Sequence, residues 1–450
     1  MPKLTINDFT GGRSTLDAIN VIDDNQASDQ KNCWVEKKAL AQRRGFTTAA
    51  ITVSSLTPIP EQLIPTQLAA SSLLRLGIIG RVGTHSQRYL VTTEDGTTFA
   101  FAGYTAGTVS TVGSSTTVTG SGTAFTQNIA IGDYIIPSGG AANRITAVNS
   151  NTEIIVTSAV TLGAGTAYVI IQKIVQGSPC GMALFDVSSA QNLFIADGSR
   201  AYRYDGTSVF RVDGAGGYSM PTFKALLPHK NYMFGMLHNT TDIRWCNIKD
   251  ITTWASNNFQ TVTTLDDPTR GMVVYGDSIV IFTRGRMFRL LGDVFDPSNP
   301  TYVLERINTP ADFNFYFSRS AVVYNGILVF LTADGWYAYD GGPQVKKISD
   351  RIQTDVDGFR KLGYAAEAMQ DSAIGFMWKG SMFCSVPDDA EAPSSTVNTT
   401  YVLDKAGNWG FGTIDDANGN STLAFCKTDA DLKPLHGDPR WPKYVEKLSA

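Results

Sequence analysis

Two stretches of the chain share one layout: LFIADGSRAYRYDGT at residues 193–207 and LVFLTADGWYAYDGG at residues 328–342. Each runs through an apolar segment, an Asp-Gly turn, an aromatic segment and a second Gly turn. The alternation of side chains has the period of two that a β-strand requires, and Asp-Gly supplies the positive φ of a tight hairpin. From Asp197 to Asp205 the gap is eight residues, and from Asp334 to Asp340 it is six. A difference of two leaves every side chain on its original face, so the two stretches read as copies of one structural unit. The returning strand of the second copy places Trp336, Ala338 and Asp340 on one face, with Tyr337 and Tyr339 on the other.

Similar hairpins centre on Gly96, Asn239, Gly285 and Gly380, with a degraded one at Gly437. Counted from Gly198, successive turns are 41, 46, 50, 45 and 57 residues apart. Four-stranded propeller blades recur at roughly 40–50 residues. The expected fold is therefore all-β: a β-propeller of six or seven blades, not necessarily regular. The interval between Gly96 and Gly198 is too long for one blade, at 102 residues.

Residues 104–172 account for the surplus. They are dense in Thr, Val, Gly and Ser and hold three charged residues, Asp133, Arg144 and Glu153. Removing them leaves about 33 residues between hairpins, near one blade. The expectation is a small β-barrel or sandwich inserted in a blade connection, where insertions cost little. A disordered Ser/Thr linker is the alternative for its first part, against which the alternating Val and Ile residues argue. Residues 1–60 are polar and turn-rich. They read as an arm lying over the propeller or as a strand that closes the ring and hides its last edge. The expected organisation is 1–60 arm and closing strand, 61–103 first part of the propeller, 104–172 insert, and 173–450 the remainder.

A net charge of −4 gives no bulk attraction to nucleic acid or to anionic membranes. Cys33, Cys180, Cys246, Cys384 and Cys426 are scattered and never spaced as CxxC, so they read as unpaired, mostly buried thiols of a protein folded in a reducing cytoplasm. The opening MPKLTINDFTGG shows no secretory pattern, and no apolar run approaches the roughly 20 residues of a membrane helix. No membrane anchoring is expected.

No residue pattern announces catalysis. His85, His229, His238 and His436 are isolated in sequence, without HxH or HExxH, and read as surface or loop residues. Nucleophile-elbow, P-loop and dinucleotide signatures are absent. Asp23-Asp24, Asp266-Asp267, Asp388-Asp389 and Asp415-Asp416 sit among turn residues, where Asp bonds the local backbone. A glycosidase pair assembled from distant carboxylates is not visible in a sequence. The stretch DDNQASD (23–29) is a weak oxygen-ligand cluster without the spacing of a calcium loop. Lys37-Lys38, Arg43-Arg44 and Lys346-Lys347 suit either phosphate contact or a solvated strand face. Tyr202, Tyr204, Phe288, Trp336, Tyr337, Tyr339, Trp378, Phe383, Trp409 and Phe411 read as packing between blades, each worth about 2–3 kcal/mol when fully buried. No catalytic, cofactor-binding or metal-binding residue is assigned, and no cofactor is expected.

Longer segments resemble a known family. FTGGRSTLDAINVIDDNQASDQKNCWVEKKALAQRRGF is similar to the N-terminal segment of bacteriophage virion proteins. Residues 107–168 resemble a small β module of phage structural proteins, with a Gly132-Asp133 turn and a final GTAY. VYNGILVFLTADGWYAYDG and TYVLDKAGNWGFG resemble blades of the β-propeller tail hub or nozzle (tail tubular) proteins of short-tailed phages. LHGDPRWPKYVEKL resembles their closing hairpin, with Trp441-Pro442 in place of the usual Gly. The resemblance implies a homo-oligomeric, hexameric ring in the virion tail, below the portal and adaptor proteins. Such a ring lines the exit channel for double-stranded DNA, without sequence-specific binding, and anchors tail fibres or a needle. The residues themselves demand no catalyst, and no enzymatic activity is expected. The alternatives are a receptor- or carbohydrate-binding propeller at the virion surface and a glycan hydrolase.

Overall fold

The computed structural model describes residues 88–350 apart from gaps at 94–98, 175–179, 188–189, 215–216, 238–239, 296–300, 312, 314 and 316–317, together with Ala373 and the strands named below. It is a β-propeller. Among the described residues, six sheets, each of four consecutive antiparallel strands, follow one another along the chain. Blade 1 comprises Pro58–Gln67, Leu74–Val82, Arg88–Thr93 and Phe99–Phe101. Blade 2 comprises Gly181–Val187, Ala190–Ala196, Ala201–Tyr204 and Val209–Arg211. Blade 3 comprises Ala225–His229, Tyr232–Met236, Asp242–Trp245 and Phe259–Thr261. Blade 4 comprises Thr269–Tyr275, Ser278–Thr283, Met287–Leu291 and Val303–Ile307. Blade 5 comprises Val322–Tyr324, Ile327–Thr332, Gly335–Tyr339 and Lys346–Lys347. Blade 6 comprises Ile374–Trp378, Ser381–Pro387, Asn398–Leu403 and Trp409–Thr413.

The apolar pattern explains why these sheets stack around an axis. In blade 4, Ile279 and Ile281 enter a cluster with Phe234 and Trp245 of blade 3, while Val280 and Phe282 enter one with Leu328 and Phe330 of blade 5. Blade 5 repeats the arrangement: Leu328 and Phe330 face blade 4, and Val329 and Leu331 face Met382 and Cys384 of blade 6. The second strand of such a blade is buried on both faces, so it reads as an unbroken apolar run. Trp336 points into the blade 5–6 cluster, and Tyr337 and Tyr339 into the blade 4–5 cluster, as the alternation of the sequence requires.

The first strands of blades 2 and 3, of 3 and 4, and of 5 and 6 meet one another, which puts them at the axis. A Cβ on Gly181 would lie 2.8 Å from the Leu226 backbone nitrogen, so blades 2 and 3 approach there at glycine distance.

Residues 104–172 contain a separate six-stranded sheet built from Thr108–Ser110, Ser115–Ser121, Tyr134–Pro137, Asn143–Ser150, Glu153–Val160 and Tyr168–Ile171. The strand Thr108–Ser110 is joined to the residues leading into Tyr168–Ile171 by reciprocal backbone bonds, Val109 N to Thr166 O (2.9 Å) and Thr166 N to Val109 O (3.0 Å), which closes the sheet into a small barrel. Val118, Phe125, Ile145, Ile154 and Ile170 fill it.

Three details differ from the sequence reading. Blade 1 begins at Pro58, within the stretch expected to be arm. Among the described residues the arm adds no strand to a blade. Its hairpin, Cys33–Glu36 with Ala39–Gln42, is a sheet of its own beside the outer strand of blade 6. The hairpins at Gly96 and Gly380 are out of phase with the others. Gly96 lies between the third and fourth strands of blade 1, and Gly380 between the first and second of blade 6, whereas Gly198, Gly285 and Gly335 mark second-to-third turns. The reason is physical: a tight turn carries the same Gly chemistry whichever two strands it joins. The expected hairpin at Gly437 lies outside the described residues.

Candidate functional site

The most elaborated polar environment is the seam where the barrel meets blades 1 and 2. Ile136 and Ile171 of the barrel pack on Tyr89 of blade 1, with Tyr134 and Phe101 flanking it edge-on. On blade 2, Phe210 packs against the barrel core. A Cβ on Gly103 would lie 2.3 Å from the Ile170 carbonyl oxygen, so the chain can enter the barrel this closely only at glycine.

Hydrogen bonds then fix the outer strand of blade 2. Val209 N donates to Gly103 O (2.8 Å), Thr105 N to Ser208 Oγ (3.0 Å) and Arg211 N to Asn128 Oδ1 (3.3 Å). Gln172 Nε2 donates to Val209 O (2.9 Å) and Asn128 O (3.3 Å). This strand would otherwise present an open edge, and the barrel satisfies part of it.

Asp133, at 1% exposure, is the ionisable centre of the seam. Its carboxylate accepts from Lys173 N (2.9 Å) and Ala130 N (2.8 Å). Burial pushes the carboxyl up to about 6, against the opposing pull of these two N–H groups and of Arg200 and Lys173. Tyr89 is likewise pushed up, mainly by burial and then by Tyr134 and Asp133.

With Asp133 enclosed, Arg144 and Glu153 are the remaining charged side chains of the insert, and Glu153 accepts from Asn149 Nδ2 (2.7 Å). Thr119, Ser121, Thr146, Thr157 and Ser158 are exposed on its strands. Loops 111–114 and 161–167 meet through Thr111 N to Leu162 O (3.1 Å), and loop 138–141 joins them through Ser138 N to Ala167 O (2.8 Å). This end of the barrel holds no charged residue and carries Val112 at 94% exposure.

The structure disperses the other residues singled out by sequence. Asp266 and Asp267 diverge: Asp266 is capped by the Thr264 hydroxyl, while Asp267 is buried and accepts from Gly285 N (2.7 Å) and Thr283 Oγ1 (2.9 Å). Lys347 donates to Asp334 (2.9 Å), a structural pair, and Lys346 beside it is exposed. His229 is buried at 9% exposure rather than at the surface, with its ring held below its usual value by burial and by Lys230. Cys180, Cys246 and Cys384 are buried and form no disulfide, and burial pushes each thiol up to about 12. Tyr202, Tyr204, Phe288, Trp336, Tyr337 and Tyr339 pack between blades. No group of three or more metal-ligating side chains occurs among the described residues. The side chains of Cys33, Cys426, His85, His238, His436, Trp378, Trp409 and Phe411, the remaining Asp and basic pairs, and DDNQASD lie outside them.

Sequence reasoning missed Asn128, Gln172 and Ser208. Their one signal is polarity beside apolar strand ends, which also describes any turn residue.

No family model matches the chain, and no curated protein matches it. Among solved structures, the Nup133 β-propeller domain of Vanderwaltozyma polyspora aligns at 10% identity over 53% of this chain and 70% of that one, with a TM-score of 0.31. A catalytically inactive virginiamycin B lyase of Staphylococcus aureus, solved with quinupristin, aligns at 11% identity over 81% of this chain and 97% of that one, with a TM-score of 0.32. The fold assignment rests on the blades themselves.

Proposed function

We propose that the chain is a structural virion protein, a ring subunit in the tail of a short-tailed bacteriophage. In this reading the ring sits below the portal and adaptor, lines the DNA exit channel and anchors fibres or a needle. The observation that carries the reading is the barrel: a compact module bonded to blade 2 and packed on blade 1, with an uncharged free end.

Two physical arguments support it. A module whose Asn128 and Gln172 bond Arg211 and Val209 of blade 2, and whose Ile136 and Ile171 pack on Tyr89 of blade 1, behaves as a bracket, suited to transmitting position between neighbours. Its free end docks with little desolvation cost, because no charge must leave water. A ring needs heterologous contacts between two different surfaces of each copy, and a bracket standing off the rim supplies one of them. DNA then passes without sequence-specific binding, and a net charge of −4 per subunit favours passage over capture where the channel shares that sign.

Electron microscopy of the purified full chain and of phage particles tests this, with six-fold rings expected. A persistent monomer that binds on a glycan array supports the receptor-binding reading instead. Depolymerisation of a polysaccharide by the purified protein supports a hydrolase. Substitutions at the barrel tip are the sharper probe of the interface. Deleting residues 104–172 would also uncover Tyr89 and the blade 2 edge, and so would damage the propeller itself.

A further inference from the structure

Beneath the barrel, between blades 1 and 2, Leu90, Ala102, Ile195 and Val209 form the apolar wall of a small space of about 10 Å³, to which Gln172 and Tyr202 contribute the polar side chains. Gln172 is 5% exposed. Its amide orientation is fixed by chemistry, because Nε2 faces two carbonyl oxygens, Val209 O and Asn128 O. Turning the amide over would set oxygen against oxygen at both contacts. Oε1 therefore stays on the other side, buried and without a donor.

We infer that this space binds one ordered water molecule, which donates to Gln172 Oε1 and completes the joint between barrel and propeller. The volume is at the lower limit for a single water and too small for any larger ligand. Purely apolar cavities of this kind remain dry, but a buried amide oxygen without a partner is the group that ordered interior waters serve. Tyr202 borders the same space: its hydroxyl donates to Lys173 O (3.2 Å) and accepts from Arg200 Nη1 at the long distance of 3.5 Å, so its oxygen keeps some acceptor capacity for the other water hydrogen. The water thereby links the residue that leaves the barrel to the third strand of blade 2.

A crystal structure of the full chain that orders surface waters tests the site directly. A density peak within hydrogen-bonding distance of Gln172 Oε1 is expected, and a flat map there overturns the inference. A second test reads the energetics. Ala102→Val adds bulk to the wall and displaces the water, so Tm should fall. In a Gln172→Met background, where no amide oxygen needs the water, the same change should cost at most half as much. An equal fall in both backgrounds would indicate overpacking alone, and a rise in Tm with Ala102→Val would indicate a dry space. Either result overturns the inference.

Discussion

Lys347 on the outer strand of blade 5 donates to Asp334 at 2.9 Å, in the turn between the second and third strands, and Tyr337 donates its hydroxyl to the same carboxylate oxygen at 2.8 Å. The Asp of the repeated Asp-Gly motif is thus a joint between strands as well as a turn residue. Asp334→Ala removes the acceptor of a buried hydroxyl and of a largely buried ammonium, and should cost about 3 kcal/mol in urea denaturation. Lys347→Met alone should also destabilise, because it leaves the carboxylate without its cation. The double variant should recover part of the loss.

Asp133 should make stability depend on pH in the direction opposite to most carboxylates. Its folded value of about 6 lies above the ordinary 3.8. Below both values the folded and unfolded chains are equally protonated. Between them the folded chain keeps a proton that the unfolded chain releases, so stability falls as pH rises, by about 3 kcal/mol across the window. Denaturation midpoints measured from pH 4 to pH 6 should show this slope, and Asp133→Asn should abolish it.

His229 should act in the other direction. Burial, then Lys230, depresses its ring below 6.5, while Asp277 and Asp293 oppose the shift. A base depressed in the fold is protonated first in the unfolded chain. Stability at the blade 3–4 boundary should therefore fall as pH drops through 6.5, and His229→Phe should flatten that limb. Hydrogen exchange of the Tyr232–Met236 amides would localise the effect.

Gly181 and Gly163 form a matched test of close approach. A Cβ on Gly181 meets the backbone of Leu226 and Ala225 at 2.8–3.0 Å, and neither can move aside without shifting a strand at the axis. Gly181→Ala should cost about 1–3 kcal/mol. Gly163, in the free barrel loops, has nothing within 4 Å of such a Cβ and no positive φ, so Gly163→Ala should leave Tm unchanged or slightly raised.

Val112 separates folding from assembly. At 94% exposure it contributes little to the monomer, so Val112→Asp should change stability by less than about 0.5 kcal/mol. If the barrel tip is the ring contact, the variant should elute as a smaller species in size-exclusion chromatography. Rings of unchanged size would move the contact elsewhere.

The blades were legible because their second strands are buried on both faces. FIA at 194–196, IVIF at 279–282 and LVFL at 328–331 are apolar without interruption, and the turns beside them carry Asp, Gly or Asn. The phase of the turns at Gly96 and Gly380 was not legible, since local turn chemistry does not record which strands it connects. The seam was still less so. Asp133 lies 40 residues from Lys173, and Asn128 lies 83 residues from Arg211. Both look like ordinary turn residues in the sequence, and the shift of the Asp133 carboxyl arises from a burial that no local pattern records.

The bond from Val209 to Gly103 has a consequence for the order of synthesis. Every strand of the barrel leaves the ribosome before the first strand of blade 2, so the barrel can be complete while blade 2 is still unmade. When Val209–Arg211 emerges, it meets a finished wall already offering Gly103 O and Asn128 Oδ1. The insertion thus serves as a mould for the rim, and the newest edge of the growing propeller is covered almost as soon as it exists.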